Sequence, residues 1–173
     1  MSKYIWDYES EGFEKVCNVK TAADRSWKYH NINRQLMFSP HNSWVYFIVD
    51  NFEIVKIGET GNPLGIWPKN KNSAFYELLE EVQPITGTTG RLGRLRVMKD
   101  NTDGWIRNCL YESAKRGQIS IWAKKCEIIE KITKIGGIEK TIFITSHKHQ
   151  EVLYLDHVKN TTGDYPRLNE MRK

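Results

Sequence analysis

The sequence predicts an α/β protein in which a small antiparallel β-sheet is flanked by helices. Two segments rich in β-branched and aromatic residues, at 45–49 and 53–57, are separated by Asp50–Asn51, a pair that tolerates the positive φ angles of a hairpin tip. A helical pattern over 103–117 leads into a third strand-like segment at 118–123. A hairpin, a helix and a returning strand form one small sheet with the helix packed across it.

Length, charge and cysteine content limit the kind of protein to which this sheet belongs. The chain has 173 residues, enough for one domain, and its formal net charge of +5 suits a polyanionic partner, although many proteins without one are equally basic. Cys17, Cys109 and Cys126 are widely spaced and form no CxxC pair, which predicts reduced thiols in the cytoplasm. No apolar run resembles a signal peptide or approaches the roughly 18 residues of a membrane span, so we expect no membrane contact.

The first 40 residues differ in character from those that follow. They are polar, and Phe13 and Cys17 fall at helical spacing. Thr21 is a candidate N-cap for a further helical segment. We therefore predict an N-terminal helical extension over 1–40, followed by the main domain over 41–173.

The segment after the hairpin, residues 61–90, is punctuated by Gly, Pro and Asn and is predicted to be an insertion. It holds one short helical pattern at 73–82, which Pro84 ends. Beyond it, Asp103 is the predicted N-cap of the strongest helix in the sequence, and Gly117 is the predicted stop.

The C-terminal third begins with two strand-like segments, 126–132 and 140–145, around a Gly-Gly pair. Residues 126–135 fit a short helix equally well. Ser146 is the predicted N-cap of a final helix, which carries Glu151 beside an apolar stripe. The stripe consists of Val152, Leu155 and Val158.

Two histidines, His147 and His149, stand at the start of that final helix. Metal binding by this pair would need a third ligand, and no ligand pattern lies nearby in the sequence. We therefore interpret the pair as an exposed helix start.

The hairpin itself carries the first candidate site. Because the two strands fold back on each other, Tyr46 and Lys56 are expected to lie near each other. A nearby ammonium favours the phenolate form of a tyrosine, and a phenolate can take a proton from water. The alternative is purely structural, since Tyr is common in strands and Lys often marks an exposed edge.

Several short motifs occur in the order typical of one family. They are WVY at 44–46, KIG at 56–58, Arg91–Leu92 after a glycine, Glu151 on a helix, and YPRLN at 165–169. In this order the sequence resembles the GIY-YIG nucleases, and the resemblance spans most of the chain after residue 43.

The sequence departs from the family at two positions. Trp44 stands where the family has glycine, and Lys56 stands where it has tyrosine. The second change is also seen among restriction enzymes of this superfamily. The long insertion leaves the catalytic arginine open between Arg91 and Arg94, and we favour Arg91 because it belongs to the Arg-Leu pair.

The resemblance implies roles for individual residues. Tyr46 would act as general base, Lys56 would keep it ionised or touch the attacking water, and Arg91 would contact the scissile phosphate. Glu151 would hold a single Mg²⁺ or Mn²⁺ ion, since a carboxylate oxygen suits a hard cation. The supporting or DNA-binding candidates are Arg94, Thr60, Asn62, Asn169 and Trp67.

These residues predict a Mg²⁺-dependent DNA endonuclease, and a site-specific restriction enzyme that cuts double-stranded DNA as a homodimer is the favoured form. Two alternatives remain open at this point. One is a phage-type or homing endonuclease that nicks DNA, and the other is a DNA-binding module that has lost catalysis. The presence of both Arg91 and Glu151 favours catalysis, because a pure binding protein has no need of a metal-binding glutamate.

Overall fold

The protein is described by a computed structural model that covers residues 7–21, 27–37, 39–61, 64, 81–82, 111–117 and 119–169. Within these residues the fold is α+β, with a six-stranded antiparallel sheet and a separate two-stranded one. The strands are β1 Glu14–Thr21, β2 Trp27–His30, β3 Trp44–Asp50, β4 Glu53–Thr60, β5 Glu81–Val82, β6 Ile119–Lys125, β7 Ile128–Ile135 and β8 Ile138–Thr145. The helices are α1 Arg34–Met37 and α2 His147–Thr162.

The larger sheet has the strand order β4-β3-β6-β1-β2-β5. The β3–β4 hairpin and β6 lie side by side, as the sequence predicted, and β4 forms one edge. The predicted fold class, a small antiparallel sheet with helices packed on it, is therefore confirmed.

Within the described residues before 40, two strands and one short helix replace the predicted helical extension. β1 lies between β6 and β2 inside the central sheet and ends at Thr21, the predicted N-cap, and β2 begins at Trp27, within the segment predicted to be helical. The apolar spacing was misleading because β1 contains a bulge between Lys15 and Cys17, which leaves both Val16 and Cys17 fully buried. Two adjacent buried residues break the period of two by which a strand is identified.

The hairpin tip lies one residue further along than the sequence predicted. Asn51 and Phe52 both have positive φ angles, of 47° and 74°, and form the two-residue turn. Asp50 is the last residue of β3 and pairs with Glu53. Two positive φ angles in succession are typical of a type I′ turn, whose twist matches that of the flanking strands.

The two faces of the hairpin belong to two different apolar cores. We call the face that carries Trp44 and Tyr46 the tyrosine face, and it packs into the core that also contains β1 and β6. We call the face that carries Val45 and Phe47 the helix face, because it packs against Tyr154 and neighbouring residues of α2. The side chains of β3 therefore point alternately into one core and the other.

The structure describes parts of the predicted insertion and of the helix after it. β5 pairs with β2, so the C-terminal end of the helical pattern at 73–82 is strand and not helix. Residues 111–114 are helical, and Gly117 adopts a φ of 70°, which confirms the predicted stop. Asp103 lies outside the described residues.

The C-terminal predictions are partly confirmed. β7 and β8 form the predicted pair of strands, and α2 begins directly after Ser146, although the serine side chain makes no capping hydrogen bond. The predicted apolar stripe is correct in part, since Val158 is buried and Leu155 packs against the same core, whereas Val152 is 51% exposed. The buried side of α2 is formed instead by His147, Glu151, Tyr154 and Val158.

Two of the three cysteines lie within the described residues. Cys17 and Cys126 are both free thiols and both buried. Burial raises the pKa of each thiol, because the apolar surroundings disfavour the thiolate. Among the described helices, none is long and apolar enough to cross a membrane.

Candidate active site

Tyr46 lies at the centre of the hairpin, between Ala123 on β6 and Gly58 on β4. Its ring extends across β4 and covers Gly58. A Cβ atom at position 58 would lie 2.8 Å from Cε1 of Tyr46 and closer still to Cζ and Oη. The glycine of the KIG motif is therefore required by sterics, because any side chain there would displace the tyrosine ring.

Lys56 and Thr60 lie on the same face of β4 as Gly58, two residues before and after it. Each is therefore about 6.6 Å along the strand from the glycine over which the Tyr46 ring lies. Lys56 is directly opposite Ile48, so it is a diagonal neighbour of Tyr46 and not its cross-strand partner. Tyr46 and Lys56 therefore lie on the same face of the hairpin, two positions apart along the strands.

The tyrosine face is closed to solvent at this point. Tyr46 is 0% exposed, Lys56 is 6% exposed and Thr60 is 4% exposed. All three make interactions within the fold. A buried ammonium is costly unless other groups compensate it, so Lys56 is not the ordinary solvent-exposed lysine of an edge strand.

Glu151 approaches the hairpin from the other side. It lies on the buried side of α2, is 5% exposed, and makes interactions within the fold. α2 packs on the helix face, whereas Tyr46 belongs to the tyrosine face. The two sides meet at the outer edge of β4, which is the edge of the sheet.

His147 anchors the start of α2 to the hairpin, and sequence reasoning missed it. Its Nδ1 lies 3.1 Å from Oγ of Ser43, and its Nε2 lies 3.3 Å from Oε2 of Glu59. His147 is 6% exposed, so the predicted exposed helix start holds only for His149. The signal in the sequence was the spacing of His147 and Glu151, which places both residues on one side of a helix.

Asn169 has a structural role at the outer edge of β4. Its side-chain amide donates to the carbonyl oxygen of Ile57 and accepts from the amide N–H of Ile57, both at 2.8 Å. Leu168 adds a backbone hydrogen bond of 2.9 Å to the carbonyl of Val55. The YPRLN motif therefore covers the edge of β4 beside 55–57 and ends short of Gly58.

Four of the predicted site residues lie outside the described residues, namely Asn62, Trp67, Arg91 and Arg94. Among the residues that the structure describes, no group of three or more His, Cys, Asp or Glu side chains is placed to hold a metal ion. Glu151 is the one acid among the predicted site residues.

Comparison with known proteins gives a result for structure only. No protein-family profile and no curated protein matches the sequence. Among solved structures, a mutant of EndoII from bacteriophage T4 matches with a TM-score of 0.56 and 17% identity, covering 87% of this chain and 90% of that one. The restriction endonuclease HPY188I in complex with product DNA matches with a TM-score of 0.46 and 15% identity, covering 92% and 82%.

The chain has the fold of phage T4 EndoII. The match extends over nearly the whole of both chains, so it is not limited to the hairpin. At this level of identity the likeness concerns the arrangement of the backbone. The roles of individual side chains must be argued from their own geometry.

Proposed function

We propose that this protein is a divalent-cation-dependent DNA endonuclease of the GIY-YIG type. The main support for the proposal is the close approach of Tyr46 to Gly58. The phenol hydroxyl lies over position 58, where only glycine leaves room for it. Lys56 and Thr60 add two polar groups on the same face. The likeness of the whole fold to EndoII, whose name marks it as an endonuclease, agrees with this assignment.

Hydrolysis of a phosphodiester needs an activated water, compensation of charge on the phosphate, and stabilisation of the departing oxygen. Tyr46 is proposed to accept a proton from the water, and Lys56 is proposed to favour its ionised form or to orient that water. Arg91 is proposed to contact the scissile phosphate. The phosphate would lie at the outer edge of β4 beside Gly58–Thr60, which the YPRLN segment does not cover.

Glu151 is the residue proposed to hold the cation. A single buried carboxylate fits Mg²⁺ or Mn²⁺, since Mg²⁺ is commonly bound through one or two carboxylates while it keeps several waters and takes substrate phosphate oxygens. One carboxylate alone does not fit zinc, which takes three or four protein ligands, mostly histidine nitrogen and cysteine sulfur. When bound, the cation would supply positive charge next to the phosphate.

The favoured form of this activity is a restriction endonuclease that acts on double-stranded DNA as a homodimer. One compact domain contacts one scissile phosphate, so a cut through both strands is most simply made by two copies related by a two-fold axis. A DNA-binding module without catalysis is the second candidate. The complete burial of Tyr46 favours it, because a general base must reach water.

Cleavage of supercoiled plasmid in Mg²⁺ tests the proposal. Glu151→Ala is expected to remove cleavage and to leave DNA binding within a few-fold of wild type, because the cation acts in the transition state and most binding energy comes from other phosphate contacts. Asp156→Ala, an exposed acid on the same helix, is the matched control and is expected to cut normally.

Tyr46→Phe tests the general base in the same assay. It keeps the ring over Gly58 and removes only the hydroxyl, so the rate is expected to fall by roughly 10²- to 10⁴-fold with the fold intact. Unchanged cutting by Glu151→Ala and Tyr46→Phe would contradict the proposed site. A wild-type protein that shifts DNA in a gel without cutting it would support the second candidate.

A further inference from the structure

The β7–β8 hairpin is unusual in its exposure. Both strands carry large apolar side chains that are open to solvent, and each strand packs mainly on the other. A two-stranded hairpin is at best marginally stable in water without a third strand or a helix against it. We call this element the arm. Its exposed apolar residues are Ile129, Ile132, Ile135, Ile138, Ile142, Phe143 and Ile144.

Within the described residues, each strand of the arm has one edge that pairs with no other strand. In the part of the chain that the structure describes, β7 and β8 pair only with each other. An edge strand that is long and apolar is a template for pairing with another chain, and natural proteins usually block such edges. The arm has no proline, and its pairing shows no bulge.

The outer edge of β7 is complementary to itself. Around Ile132 the sequence reads Ile, Glu, Lys, Ile, Thr, Lys, Ile from 129 to 135. If two copies pair antiparallel about a two-fold axis at Ile132, Glu130 stands opposite Lys134 of the second copy. Opposite charges at directly opposed positions stabilise an antiparallel pair.

The same register matches the apolar residues of β7. Ile129 stands opposite Ile135 of the second copy, and Ile132 stands opposite its own counterpart on the axis. A two-fold pair of antiparallel strands brings together residues on the same face, so opposed residues must be an even number of positions apart. Glu130 and Lys134 meet this condition.

β8 offers no equivalent pairing. Its charged residues, Glu139 and Lys140, are adjacent in the sequence and therefore point to opposite faces. No two-fold register can bring them directly opposite each other. The outer edge of β7 is thus the self-complementary edge of the arm.

The charge of the arm favours a protein partner over DNA. The arm carries Lys131, Lys134 and Lys140 against Glu130 and Glu139, so its charges nearly balance. An element that binds the phosphate backbone needs a clear excess of Lys and Arg. The balanced charges and the exposed isoleucines fit a protein surface of matching composition.

We propose that the arm is a dimerisation element, in which β7 of one copy pairs antiparallel with β7 of a second copy about a two-fold axis at Ile132. The product is a continuous four-stranded sheet with the order β8-β7-β7-β8. Such a sheet exceeds the three strands at which a sheet with an apolar face becomes independently stable. The inference is independent of the proposed chemistry, because it concerns the protein without DNA or metal.

Sedimentation equilibrium of the full chain without DNA tests the proposal, and wild type is expected to be a dimer. Glu130→Lys places lysine opposite lysine, and Lys134→Glu places glutamate opposite glutamate, so each single variant is expected to be a monomer. An equimolar mixture of the two variants restores both opposite-charge pairs and is expected to form a heterodimer. Lys140→Glu makes the same change of charge on β8 and is expected to remain a dimer.

A disulfide test fixes the register. Ile132→Cys places two thiols together on the axis, so mild oxidation is expected to give a covalent dimer. Thr141→Cys lies beside Ile132 on β8, away from the outer edge of β7, and is the matched control that stays uncrosslinked. A monomeric wild type, a dimeric Glu130→Lys, or a variant mixture without heterodimer would each overturn the proposal.

Discussion

At the scale of single residues, the contact between Tyr46 and Gly58 predicts an effect of substitution at position 58 on stability. Gly58→Ala is expected to destabilise the protein by about 1–3 kcal/mol, because the added methyl overlaps the tyrosine ring and forces it away. In a Tyr46→Ala background the overlap is gone, so the same substitution is expected to cost much less. Urea unfolding of the four proteins measures the difference, and equal costs in both backgrounds would show that the ring is not held over Gly58.

Residue identity and spacing in the sequence predicted that Tyr46 and Lys56 lie near each other, since the hairpin and its turn were recognisable, and the structure places them on one face. They did not predict the contacts that anchor α2. His147 bridges Ser43 and Glu59, which lie 104 and 88 positions earlier in the chain. Contacts at such distances follow from how the helix packs, and no local pattern encodes them.

At the scale of elements, two arginines hold the tip of the β3–β4 hairpin through Asp50. Asp50 is 6% exposed and accepts bonds of 2.6 Å from Arg116 and 2.8 Å from Arg167. Asp50→Asn is expected to cost about 1–3 kcal/mol of unfolding free energy, because both charge-assisted hydrogen bonds weaken. Glu112→Gln, which breaks an exposed ion pair with Lys115, is the control and is expected to cost under about 1 kcal/mol. Equal losses of unfolding free energy in the two variants, measured with urea, would show that the bonds from Arg116 and Arg167 to Asp50 add no stability beyond that of an exposed ion pair.

The elements that the sequence predicted well are those with one strong local pattern. The hairpin, β6 and the stop at Gly117 have such patterns, and the structure confirms them. β1 was predicted as helix because its bulge imitates helical spacing, and the buried side of α2 was misassigned because polar residues occupy half of it. A hydrophobic pattern identifies a buried side only where that side is apolar.

At the scale of the whole molecule, the fold brings two sides of one hairpin to a common edge. Tyr46 reaches over Gly58 from the tyrosine face, and Glu151 lies on the helix that covers the other face. The C-terminal segment covers the neighbouring part of that edge through Asn169. In the proposed site a substrate phosphate beside Gly58 would lie at this edge, and Tyr46, which is fully buried, would have to become accessible to water for catalysis.

The arm and the proposed site together predict how plasmid DNA is cut. One site cleaves one strand, so a double-strand break in a single binding event needs the two sites of a dimer. Glu130→Lys changes only the arm, and it is expected to convert supercoiled plasmid to open circles that accumulate before any linear DNA appears. Addition of Lys134→Glu in equal amount is expected to restore direct linearisation, because the heterodimer regains both opposite-charge pairs. Agarose gels of the time course distinguish the products, and undiminished linearisation by Glu130→Lys alone would show that cutting of both strands does not depend on this pairing of the arms.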